Sequence, residues 1–75
     1  MKELLEVIAR GLVEKPEEVT VTMTEDENEI LLQLSVAEED MGKVIGKQGK
    51  IARAIRTIVR ASAAETDKKI MVEIR

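Results

Sequence analysis

Leu4, Leu5, Ile8 and Leu12 recur at intervals of three and four, a spacing that lays one apolar stripe along a helix over roughly residues 2 to 14. Pro16 bounds it. From Val19 the period drops to two: Val19, Val21 and Met23 alternate with Thr20, Thr22 and Thr24, which predicts a half-buried strand with the first three on its core face. The acidic run EDENE, residues 25 to 29, is a solvated turn, and ILLQLSV follows with Ile30, Leu32, Leu34 and Val36 on one face. Residues 19 to 36 therefore predict a β-hairpin. Glu38, Glu39 and Asp40 place negative charge where the dipole of a short helix, about Asp40 to Ile45, favours it. Gly46 and Gly49 then break the chain.

From Lys50 to about residue 65 the helical period returns, and Ile51, Ile55, Ile58, Val59 and Ser62 fall within one arc of roughly 100°. Arg53, Arg56 and Arg60 fall opposite. Thr66, Asp67 and Lys68 form a turn, after which Ile70, Val72 and Ile74 alternate as a final strand. The predicted order is αββααβ. An α+β sandwich, with three strands packed against three helices, is the simplest way to bury these stripes.

Seventy-five residues make one small domain, which buries only about 60% of its unfolded surface and so has a core with little margin. Hydrophobic residues are 44% of the chain, enough for a globular rather than a disordered protein. With no cysteine and no histidine, a disulfide framework, a zinc knuckle and the usual transition-metal sites all lack ligands. No cofactor is expected. The N-terminal MKELLEVIARGLVEK mixes charges among its apolar residues, unlike a signal peptide, and no stretch approaches the roughly 20 apolar residues of a membrane span. A soluble, cytoplasmic protein with no membrane partner is the expectation.

Charge singles out one segment. Residues 41 to 60, MGKVIGKQGKIARAIRTIVR, carry Lys43, Lys47, Lys50, Arg53, Arg56 and Arg60 without one acidic residue, and hold three of the four glycines. The segment is +6 in a chain of net charge −3, so a polyanion meets one attractive face on a molecule that otherwise repels it. Gly46 and Gly49 bracket Lys47 and Gln48. Glycines three apart permit positive φ and remove Cβ atoms, so a second chain can approach the backbone closely. The helix that begins at once after them offers unpaired N–H groups and the positive end of its dipole to a phosphate, with Lys47 and Lys50 adding full charges. Many helix–loop–helix turns use glycine merely to reverse direction, so GxxG alone is a weak signal.

The context makes it stronger: VIG before the loop, KIxxAI after it, flanking lysines and a βααβ frame. Together these resemble the KH domain, a single-stranded nucleic-acid module whose GxxG loop clamps about four backbone nucleotides. The extra helix and strand on the N-terminal side match the bacterial type II arrangement. The length and the phrase EEDMGKVIGKQGKIARAIRTIV are similar to the small stand-alone bacterial KH proteins of the KhpA (YlqC) type. The resemblance implies a mixed three-stranded sheet, binding of single-stranded RNA with broad preference, a role as RNA chaperone or post-transcriptional regulator, and pairing with itself or with another KH-domain protein. Gly46, Lys47, Gln48 and Gly49 carry over as the backbone clamp, with Lys43 and Lys50 beside it. Val44, Ile45, Ile51 and Ile55 match the family's apolar positions, though the helical arc assigns several of them to the core. Residues near Ile70 and Val72 would close the other wall of the groove.

The chain departs from strong RNA readers in having no Phe, Tyr or Trp. Aromatic platforms contribute about 1–3 kcal/mol per stacked base, so weak affinity and little base discrimination are expected of one copy. Arg53 and Arg56 either stack on bases or form the solvated face of their helix. A P-loop does not fit: Lys47 is followed by Gln48 and Lys50 by Ile51, leaving no hydroxyl for Mg²⁺. With His, Cys and Tyr all absent, acid–base catalysis has few candidates, and neither an enzyme nor a small-molecule substrate is expected. The alternative is an interaction module in which RNA contact is secondary. Ala52, Ala54, Ala61, Ala63 and Ala64 keep the long helix slim, and Ala54, Ile58 and Ala61 on its flank are the candidate dimer contact.

Overall fold

The computed structural model describes residues 1–63 and 65–75. Helix α1 spans Lys2–Leu12, strand β1 Thr20–Glu25, strand β2 Glu29–Ser35, helix α2 Met41–Ile45, helix α3 Lys50–Ser62 and strand β3 Lys69–Ile74. Single 3₁₀ turns at Pro16–Glu18, Glu38–Asp40 and Lys47–Gly49 lead into β1, α2 and α3. The sheet order is β1-β2-β3, with β1 antiparallel and β3 parallel to β2. A parallel neighbour requires a crossover, and here the α2–α3 hairpin supplies it. The αββααβ expectation and the mixed three-stranded sheet hold.

One face of the sheet carries the core. Val21, Ile30, Leu32, Leu34, Ile70 and Val72 turn inward and meet Leu5 and Ala9 of α1, Val44 of α2, and Ile55 and Val59 of α3. The opposite face is polar along one row, where Thr22 donates to Gln33 at 3.2 Å and Gln33 donates to Glu73 at 3.2 Å. In the hairpin turn the Asp26 carboxylate accepts the N–H groups of Asn28 and Glu29 at 2.7 and 2.8 Å, which holds its pKa below the ordinary value.

Three expectations about faces need correction. Met23 alternates with the core residues of β1 but is 44% exposed, because the helical cover over that face reaches Val21 and stops short of it. In α1 the buried stripe is Leu5 and Ala9, with Leu4 and Ile8 half-buried and Leu12 exposed. In α3 the buried positions are Ala52, Ile55 and Val59, while Ile58 is 47% exposed and Ser62 is exposed. Each buried face thus combines an alanine with larger side chains, Ala9 beside Leu5 in α1 and Ala52 beside Ile55 and Val59 in α3. Ala63 is buried, Ala54 and Ala61 are exposed, and Ala64 lies outside the described residues.

Asp40, expected to sit at the solvated start of α2, is 1% exposed and makes no cap on that helix. Its carboxylate instead accepts the backbone N–H groups of Glu14 at 3.2 Å and Lys15 at 3.1 Å, and lies 3.5 Å from the Lys43 ammonium. Burial raises its pKa, but the two N–H donors and Lys43 outweigh burial and leave it below the ordinary 3.8. The segment after α1 is thereby tied to the root of α2, and Lys15 pairs with Glu39 alongside. In Asp40→Asn a single carbonyl oxygen faces two part-buried N–H donors and the charge beside Lys43 is lost, so the melting temperature at neutral pH should fall by roughly 5–10 °C. A depressed pKa means stability that is present above 3.8 and lost as pH falls through the folded value, so the wild type should lose its advantage over the variant only below about pH 4. Melting curves of both proteins from neutral pH downward check this.

Candidate nucleic-acid interface

The loop between α2 and α3 is built from three residues with positive φ: Gly46 (φ 75°, ψ 172°), Gln48 (φ 57°, ψ 25°) and Gly49 (φ 72°, ψ 15°). The Gly46 N–H closes α2 on the carbonyl of Gly42 at 2.9 Å, and the Gly49 N–H returns to the carbonyl of Gly46 at 3.2 Å. The two glycines are there for different reasons. A Cβ on Gly46 would lie 2.6 Å from Cγ1 of Ile51, so its bare Cα is what lets the first turn of α3 pack back under the loop. A Cβ on Gly49 would meet nothing within 4 Å. The expectation that both glycines open the backbone to another chain is corrected accordingly: the space beside Gly46 is filled by the protein itself, and the outward opening is at Gly49.

This difference is measurable. Gly46→Ala combines backbone strain in a region essentially reserved for glycine with overpacking against Ile51, and should destabilise the fold by roughly 2–4 kcal/mol. Gly49→Ala carries only the left-handed penalty of about 1–2 kcal/mol. Urea unfolding of the two variants checks the ranking. Gln48, a non-glycine residue in the same left-handed region, holds a conformation that costs of order 1 kcal/mol and was not foreseen from the residue type.

Helix α3 starts at Lys50 with no side chain capping its first turn. Around this end Lys47, Gln48 and Lys50 are exposed, as is Arg53 one turn on. Among the described residues Lys47, Lys50, Arg53, Arg56 and Arg60 form no ion pair. Lys43 differs: its ammonium lies 3.2 Å from Glu14 and 3.5 Å from Asp40, and the hydrogen bond to Glu14 leads the effects that raise its pKa. Its half-exposed ammonium faces these two carboxylates, so it is less available to an external phosphate than Lys47 or Lys50.

Of the apolar candidates, Val44 is fully buried and Ile51 half-buried, while Ile45 is partly exposed at the end of α2. Ile55 is core. Ile70 and Val72, expected to close the opposite wall, bury their side chains and leave only backbone at the edge of β3. Arg56 and Arg60 do not simply point into solvent. Each Nε–H turns onto that edge, Arg56 to the carbonyl of Val72 at 3.3 Å and Arg60 to the carbonyl of Ile70 at 3.5 Å. Ala54, Ile58 and Ala61 form an exposed line along α3. Among the described residues no group of acidic, histidine or cysteine side chains is placed to hold a metal, and no helix is long and apolar enough to cross a membrane.

A β–α–α–β unit with parallel outer strands, a Gly-x-x-Gly turn joining its helices, and a helix and strand added before it is the type II KH architecture. The chain belongs to the family described as KhpA/KhpB, KH domain, which it matches over residues 2–74. It is 60% identical over 74 residues to the RNA-binding protein KhpA of Clostridium perfringens and 57% identical over 74 residues to that of Clostridium acetobutylicum, each match covering 99% of both chains. The protein of the same name from Caldanaerobacter subterraneus is 51% identical over 74 residues. This is a KH-domain family and not an enzyme family. No solved structure matches the chain.

Proposed function

We propose that the protein binds single-stranded RNA, holding the phosphodiester backbone at the loop of residues 46 to 49. The observation that carries this reading is the uncapped start of α3 beside a Gly49 with open space above it, flanked by Lys47 and Lys50, which have no acidic partner among the described residues. The name of its relatives, RNA-binding protein KhpA, supports the same ligand. With no aromatic residue to stack on bases, one copy binds weakly and with little sequence preference, which suits an RNA chaperone or post-transcriptional regulator acting in the cytoplasm. Ile45 and Arg53 lie beside the bound strand, and Lys43 serves mainly to hold α2 in place.

Gel-shift titration with single-stranded RNA and duplex DNA at several salt concentrations tests this. Two to four neutralised phosphates give a slope of log K against log salt of roughly −1.5 to −3. Single-stranded RNA should win, and a slope near zero would refute a clamp built on phosphate contacts.

The exposed line Ala54, Ile58 and Ala61 favours a second element of function. Through it the protein pairs with itself or with another KH-domain protein, and the pair presents two clamps to one RNA. Were this contact the main activity, RNA binding would be secondary, and the titration above would show no specific shift.

A further inference from the structure

The two outer edges of the sheet differ. On β3, Arg56 and Arg60 hold the outward carbonyls of Val72 and Ile70. Strand β1 is the other edge and pairs with β2 alone. The hairpin closes through the N–H of Asp26 on the carbonyl of Glu29 at 3.0 Å, and antiparallel pairs alternate between bonded and unbonded, so Thr24, Thr22 and Thr20 spend their main-chain groups on β2. Val21, Met23 and Glu25 turn theirs outward, where no other backbone group meets them among the described residues. Exposed edges are usually blunted by lysine, proline or a bulge. The strand TVTMTE has neither residue, runs in unbroken register with β2, and buries only Val21. Met23 shares the core face but lies beyond the helical cover, 44% exposed at this open edge. A strand laid alongside would set one side chain directly beside it and take its apolar surface out of water.

Charge says what kind of strand fits. From Pro16 to Glu29 the chain holds Glu17, Glu18, Glu25, Asp26, Glu27 and Glu29 and no basic residue. Glu17 and Glu18 precede β1 while Asp26 and Glu27 follow it, so acids stand at both ends of an edge about 20 Å long. Glu25 pairs with Lys68, whereas Glu17, Glu18 and Glu27 are exposed and form no ion pair among the described residues. RNA is repelled here. A second copy offering its own β1 would bring the same acids against these, and one offering β3 would first have to release Arg56 and Arg60.

We propose that the β1 edge takes up an extended, basic segment of another protein by strand addition. The segment pairs with the outward groups of Val21, Met23 and Glu25, sets an apolar residue beside Met23, and carries lysine or arginine toward the acids at either end. The inference is independent of the RNA-binding reading. Because β1 and β3 are opposite edges of the sheet, the segment and an RNA held at the α2–α3 loop can be bound together.

NMR titration of the full chain with the peptide KRVTVTVKR tests it. The amide signals of Val21, Met23 and Glu25 should move and their hydrogen exchange should slow, while those of residues 46 to 49 stay in place. The peptide EDVTVTVDE keeps the apolar centre and should bind at least roughly tenfold more weakly. N-methylating the valines of the basic peptide, or instead its threonines, separates strand pairing from charge attraction. Only alternate amides of an added strand face its neighbour, so one version should lose roughly tenfold or more in affinity and the other should keep it. Met23→Lys puts a positive charge at the centre of the edge and should weaken the basic peptide roughly tenfold, with melting temperature and RNA affinity little changed. The methylated peptides leave the protein untouched, so they decide the matter even if the variant melts early. Equal effects of the two methylations, or equal binding of the acidic peptide, overturn the assignment. So does a mass of the protein alone that falls in Met23→Lys, which would make a second copy the occupant.

Discussion

Replacing Lys47 and Gln48 together by Asp should reduce single-stranded RNA affinity by at least roughly 100-fold while the fold stays intact. One attractive charge is lost and two repulsive ones appear beside the phosphate. At about 4 Å a unit pair is worth between about 1 kcal/mol in water and about 4 kcal/mol near a protein surface, so three such changes exceed the required loss. The fold has reasons to tolerate the change. Both side chains are exposed. Position 48 has a left-handed backbone, which Asp adopts more readily than Gln. Carboxylates at the start of α3 also suit its dipole. Circular dichroism and melting curves alongside the RNA titration check both halves. Undiminished RNA affinity with an unchanged spectrum would show that the backbone is held elsewhere.

The strands and the loop were legible in the sequence because their signals are local. Period-two alternation in Ile30, Leu32 and Leu34 reports a sheet with one buried face, and a glycine pair between two helical patterns reports a turn needing positive φ. What the sequence obscured depends on neighbours distant along the chain. The rotational phase of α3 is obscured because Ile58 weighs more than Ala52 in any hydrophobic count, whereas the face turned to the core carries Ala52, Ile55 and Val59 and leaves Ile58 at 47% exposure. Asp40 looked like surface charge because its hydrogen-bond donors, Glu14 and Lys15, lie some 25 residues earlier. Arg56 and Arg60 looked like a solvated face because a helical wheel shows no sheet edge, and only the parallel placement of β3 puts outward carbonyls beside them. Gly46 and Gly49 are indistinguishable by residue type and differ only once Ile51 is in place.

Changing Ile58 to Glu should give a folded protein that runs as an 8.4 kDa monomer, where the wild type runs at about twice that mass. At 47% exposure Ile58 already reaches solvent, so a glutamate there buries no charge in the monomer core. The view that Ile58 is a core residue, which predicts an unfolded variant, has the weaker footing. In a symmetric helix-to-helix contact the outcome reverses: two copies bring the substituted side chains together, and like charges in a desolvated seam oppose association. Exposed Ala54 and Ala61, one turn to either side, allow the backbones to approach closely around it. RNA affinity should fall with the dimer, because linked sites gain on the order of 10²-fold or more in avidity without a new contact. Light scattering, thermal unfolding and RNA titration on the same preparations separate the possibilities. A folded monomer with weakened RNA binding supports the interface, a chain that no longer folds supports a core role for Ile58, and an intact dimer places the contact elsewhere.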